Sequence, residues 1–141
     1  MSAFVSKYLQ DARVNWFRGV AYPTALANVY VALVTTAPTA RDGTSLVECT
    51  GGSYARQAVA NAGLPAASTS GSGLSAIEQT NNSSQISFNN MPSCTVVGVA
   101  LYDAATVGNL LAYADLTGGS QVVAAGATFN LPASNLVIQE L

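Results

Sequence analysis

The chain carries seven carboxylates, Asp11, Asp42, Glu48, Glu78, Asp103, Asp115 and Glu140, and no histidine. Two carboxyl groups held roughly 5 to 9 Å apart can hydrolyse a glycosidic bond, one as acid and the other as base or nucleophile. Asp103 and Asp115 sit on the two arms of one expected hairpin, which makes them the pair to weigh. Against that, Asp103 opens a turn and Asp115 ends a strand, both ordinary places for a solvated aspartate. The missing histidine removes the usual general base, the Ser–His and Cys–His nucleophile pairs and the commonest zinc ligand. Gly71-Ser72-Gly73 lacks the following helix of a phosphate-binding loop, and Asp42-Gly43 is a turn without calcium-loop spacing. Cys49 and Cys94 are too few for a disulfide framework, have no metal-ligand spacing, and read as buried or half-buried thiols. The expectation is no catalytic residue, no cofactor and no metal.

What remains is contact chemistry. In "GGSYARQAV" (51–59) two glycines precede Tyr54 and Arg56, and Arg56 is one of only five Lys and Arg residues in the chain. If 53–60 is a strand, Tyr54 and Arg56 share one face and Ala55 and Gln57 the other. Tyrosine and arginine are favoured at interface centres, each giving apolar area and a directional donor. The alternative is an arginine stem lying over the tyrosine on a solvated sheet face. A second candidate is aromatic: Phe4, Tyr8, Ala12 and Trp16 recur every fourth residue. That spacing predicts a helix over 2–18, capped by Ser2 and ended by Gly19. Its stripe either packs over the chain's own sheet or docks on a neighbouring subunit. Phe4, Tyr8, Trp16, Tyr54 and Arg56 are therefore the expected partner-contact residues.

The elements that must position them read as strands. "NVYVALVTT" (28–36) is β-branched with a near-continuous apolar centre, as in a central strand. "QISFNN" (85–90) alternates, 94–116 reads as a hairpin of two long strands, and "SQVVAAGATFNL" and "NLVIQEL" supply the last strands. Residues 61–84 are small and polar with little periodicity, a long surface loop. Seven or eight strands after one short helix predict a single mainly-β domain over 1–141, an antiparallel β-sandwich or jelly roll.

Composition narrows the function. Half the 141 residues are apolar and only 9% are charged, where about a quarter is typical. A surface of Ser, Thr, Asn, Gln, Gly and Ala is poor at keeping subunits apart. A net charge of −2 argues against a nucleic-acid partner, and there is no polybasic signal for a membrane. No apolar run approaches the ~20 residues that span a bilayer, and the opening lacks a signal peptide's pattern. Synthesis in the cytoplasm is expected.

"MSAFVSKYLQDARVNWFRG", "ANVYVALVTTAPT", "GGSYARQAV", "ISFNNMP", "VGVALYDAATVGNLLAYADL" and "LVIQEL" occur in an order that resembles a family of small tailed-bacteriophage virion proteins, often labelled phage tail fibre proteins. The likeness covers nearly the whole chain and is weakest over 61–84. Related small sandwiches serve as head decoration or cement proteins. The resemblance implies a structural role in the virion with no catalytic residues. A capsid decoration protein, a homotrimer clamping the major capsid protein on the head exterior, is the expected function. The alternative is a tail fibre or other tail-associated protein contacting the host. One departure stands out: Val107 precedes Gly108 where the family commonly has a second glycine.

Overall fold

In the computed structural model, which describes residues 3–139, the strand β2 (Asn28–Thr36) organises everything else. Val31, Ala32, Leu33 and Val34 are all fully buried. Its alternate residues therefore face two different cores. Val31 and Leu33 join Phe88, Met91, Val96, Leu101 and Phe129 in the larger one. Ala32 and Val34 join Ala100, Leu110 and Tyr113 in the smaller, with Phe4 packed against it. That is why the sequence is apolar without alternation there.

Around β2 an antiparallel six-stranded sheet forms. Its strands are β1 (Ala3–Val5), β10 (Leu110–Asp115), β9 (Gly98–Tyr102), β2 and β3 (Val47–Glu48) in that order, with β4 (Gln57–Ala60) also paired to β2. β9 takes one edge of β2, Ala32 opposite Ala100. The other edge is shared end to end: β3 pairs with 34–36 and β4 with 28–31. The chain between β3 and β4, residues 49–56, leaves the sheet at that gap.

Three smaller antiparallel sheets complete a sandwich-like, mainly-β structure. They pair β8 (Cys94–Val96) with β11 (Gln121–Val123), β7 (Ile86–Phe88) with β12 (Phe129–Leu131), and β6 (Ile77–Asn81) with both β5 (Ser68–Ser70) and β13 (Val137–Gln139). Among the described residues there are thirteen strands rather than seven or eight. The stretch 94–116 holds three of them, because the chain leaves the β8–β11 pair after Val96 and enters the large sheet at Gly98. The polar stretch 61–84 is not one loop but the β5–β6 hairpin, whose outer edge is completed by β13 from the far end of the chain. Buried Asn82 fastens it: its Nδ2 donates to the carbonyls of Ser84 and Pro132, and its Oδ1 accepts from Leu136 N–H.

The helix is shorter than its periodicity predicts. Residues 3–5 form β1, with Phe4 opposite Tyr113, and α1 spans Lys7–Phe17. Ser6 is the N-cap, its Oγ accepting from Leu9 N–H at 3.4 Å. Ser2, the expected cap, lies outside the described residues. Phe4 thus belongs to a strand and not to the helical stripe, because pairing with β10 gives its ring a partner in Tyr113, 5.7 Å between centroids. Gly19, at φ +82°, follows the helix end as expected.

The β9–β10 turn carries Val107 at φ +57°, in the left-handed region, with Gly108 at +72° behind it. A β-branched residue there is strained by roughly 1–2 kcal/mol. The turn is held in that shape by Asp103, whose carboxylate accepts from Asn109 N–H at 2.6 Å and from Asn109 Nδ2 at 2.7 Å. Val107→Gly is expected to raise unfolding stability by about 1 kcal/mol, net of glycine's added chain entropy. Urea denaturation checks this, and a loss of stability would show the conformation to be unstrained.

Candidate functional site

Glu48 is the lone charge in the apolar run "SLVECT", at the end of β3 beside the gap in the β2 edge. Into that gap comes Tyr54. Its hydroxyl accepts from Leu33 N–H at 2.9 Å, satisfying a backbone donor that neither β3 nor β4 reaches, and donates to Glu48 Oε1 at 2.8 Å. Its ring stacks on Phe88, 6.0 Å between centroids and 9° from parallel. Burial first, with the Glu48 hydrogen bond and charge behind it, pushes the Tyr54 phenol well above its usual pKa.

Arg56 completes the cluster. Its Nε and Nη2 grip both Glu48 oxygens at 2.8–3.1 Å, and Nη1 donates to the carbonyls of Ala104 at 3.0 Å and Val107 at 2.8 Å. The guanidinium lies 3.6 Å from the Tyr102 ring centroid. Only 9% of the Arg56 side chain is exposed. Burial opposes its charge, yet the hydrogen bond and charge of Glu48 overcome that and raise its pKa.

Tyr54 and Arg56 lie before β4, which begins at Gln57, so they do not share a strand face as 53–60 read as a strand predicts. The Gly51-Gly52 turn lifts this segment off the sheet, Gly51 at φ +100° and Gly52 at +57°. Arg56 does stack on a tyrosine, but on Tyr102 of β9 rather than Tyr54. Both side chains are engaged within their own chain. Glu48, the residue sequence reasoning passed over, is the centre; its isolation in an apolar run was the available signal.

The other candidates fall elsewhere. Phe4 packs on Tyr113, and the Arg41 guanidinium lies over its ring, 5.7 Å to the centroid. Asp103 holds the turn. Asp115 pairs with Gly98 at the far end of the same hairpin, where it accepts from Tyr113 Oη at 2.6 Å. Leu110 opposite Tyr102 and Asp115 opposite Gly98 put the two aspartates on the order of 15 Å apart, too far to act as a glycosidase pair. Among the described residues no three His, Cys, Asp or Glu side chains gather to hold a metal ion. No helix of the described chain is long and apolar enough to cross a membrane.

Tyr8 and Trp16 lie on α1, none of whose residues is buried. Trp16 is 59% exposed and Phe17 83%, and the two rings meet edge to face at 5.4 Å. Val14, Val20, Tyr22 and Leu26 continue the exposed apolar surface. Packing over the chain's own sheet holds for Phe4, against the smaller core, and for Leu9 beside the stripe, against the larger one. Between the start of α1 and the segment that follows it is a groove of about 720 Å³ lined by Tyr8, Leu9, Tyr22, Pro23, Leu26 and Leu111, among others.

Two surfaces are thus distinguished, an internal ion-pair cluster and an open apolar one. Arg56→Ala is expected to cost about 3 kcal/mol in urea denaturation, because it strands a largely desolvated carboxylate. Arg56→Lys should recover less than half of that, since an ammonium cannot reach Glu48 and two carbonyls at once. A loss below about 0.5 kcal/mol would mean the pair behaves as a surface contact.

Across residues 4–139 the chain matches the sequence model of a family described as Podophage GP4 fiber I protein gp80. No curated protein matches it.

Proposed function

The chain belongs to the Podophage GP4 fiber I protein gp80 family, and on that premise we propose that it is a non-enzymatic, fibre-type structural subunit of a bacteriophage tail that works by binding copies of itself. The single observation that carries this reading is a family match over nearly the whole chain. The family's description favours the tail-fibre reading over the head-decoration one, so the clamp on the major capsid protein and its homotrimer recede to the second place.

The surface around α1 fits the role. Between residues 14 and 26 the only charge is Arg18, whose guanidinium donates to Asn15 Oδ1 at 3.0 Å. The exposed apolar side chains there leave on the order of 500 Å² open, at the upper end of a monomer's largest patch. A stable interface needs about 800 Å² per partner, which this patch approaches once its polar rim is added. It also offers both a protruding ring pair and an apolar groove, so a second copy supplies the complement to each. Buried aromatic anchors of this kind carry most of an interface's energy.

The purified chain is expected to sediment as an oligomer at tens of micromolar. Replacing Trp16 and Phe17 together by Ser should yield a monomer whose melting temperature changes little, since both side chains are exposed. A monomeric parent chain, or a variant that still assembles, would refute the α1 surface. Antibody labelling of intact particles tests the location separately: a few sites at the tail are expected, hundreds over the shell would restore the decoration reading, and no label at all would overturn a virion role.

A further inference from the structure

Cys49 and Cys94 are 45 positions apart in sequence, yet their Sγ atoms stand 3.2 Å from each other. Both are thiols. Cys49 is 2% exposed and its N–H donates to Leu33 O at 2.8 Å, extending the β2–β3 ladder past Glu48. Cys94 is half-buried and opens β8, opposite Val123 of β11. The two sulfurs therefore bridge the large sheet and the β8–β11 pair, which the chain itself joins nearby at Val97, whose N–H donates to Val34 O at 2.8 Å. A disulfide needs about 2.0 Å between sulfurs, so the two sulfurs are already close to bonding distance.

We propose that Cys49 and Cys94 form a latent oxidation site, reduced while the chain is made and assembled and closed to an inter-sheet disulfide when the protein meets a low-molecular-weight disulfide or a comparably oxidising medium. The half-buried Cys94 thiolate attacks one sulfur of the small disulfide, breaking its S–S bond and releasing one thiolate. Cys49 then loses its proton to solvent and attacks Cys94 Sγ, expelling the second small thiolate. Two protein thiols and one small disulfide give one protein disulfide and two small thiols. Order of attack follows from access: burial, then the hydrogen bond with Cys94, pushes the Cys49 thiol up to about 12, so Cys49 is the slower, resolving group. A bacterial cytoplasm keeps such a pair reduced, whereas the medium outside the cell does not. The site is independent of where in the particle the subunit sits and of the α1 surface.

Closure would loop off Tyr54, Arg56 and strands β4 to β7, a long segment whose unfolded freedom a cross-link restricts strongly. The folded, reduced chain should be incubated with oxidised glutathione and followed by intact mass, peptide mapping and calorimetry. Expected are loss of both free thiols, a mass two hydrogens below the reduced chain, one cross-linked peptide joining Cys49 to Cys94, and a melting temperature raised by on the order of 10 °C. Cys49→Ala should stop at a mixed disulfide on Cys94 without that rise. Cys94→Ala should stay unmodified, because its remaining thiol is buried. Two thiols that remain free, a mixed disulfide on Cys94 of the parent chain that never resolves, or cross-linking between chains through Cys94 would each overturn the proposal.

Discussion

The Glu48–Arg56 ion pair closes the gap that β3 and β4 leave in one edge of the central strand. β3 and β4 share an edge of β2 without meeting, and in the interval Leu33 N–H has only the Tyr54 hydroxyl for a partner. That hydroxyl is held by Glu48, and Glu48 is held by Arg56. The same guanidinium reaches two carbonyls of the β9–β10 turn, so a single cation ties the β3–β4 excursion to the opposite edge neighbour of β2. Arginine suits the task because its fork meets a carboxylate on one side and leaves donors for carbonyls on the other, while its face rests on Tyr102. Such a cluster is worth keeping only if every member is satisfied, and among the described residues no buried side-chain nitrogen or oxygen lacks a partner.

A chain with five cations that commits one of them to its interior has few left for its surface. Arg41 leans over Phe4 and also donates to Val5 O, and Lys7 pairs with Asp11 along α1. What faces outward over residues 14–26 is then largely apolar, with Arg18 its one charge. For a monomer in dilute solution that is a liability; for the self-binding subunit we propose, it is the means of assembly.

The mainly-β class, the position of β2, the β9–β10 hairpin and the end of α1 at Gly19 were legible because each follows from local rules: β-branched runs, Asp-to-Asn turn chemistry and a left-handed glycine. The start of α1 was not, since Phe4 fits a helical period as well as it fits β1, and only Tyr113 across the sheet decides between them. The β5–β6 hairpin was hidden because its residues are Ser, Thr, Asn and Gly, and its pairing partner β13 lies more than fifty residues away. Arg56 was recognised as unusual but its direction was misread. The two glycines that break the strand before it, and the acid eight positions earlier, turn the side chain inward. The aromatic period allowed α1 either to pack over its own sheet or to dock on a neighbour, and the period says nothing about the exposure that Trp16 and Phe17 show.

The ion-pair cluster is internal to each copy, and the α1 surface is what we propose assembly covers. Amide hydrogen exchange on the free chain and on the assembled protein tests it directly. Protection should rise over residues 7–26 on assembly and stay unchanged over 48–56 and 98–107. Protection that rises over 48–56 while 7–26 exchanges as in the free chain would contradict it.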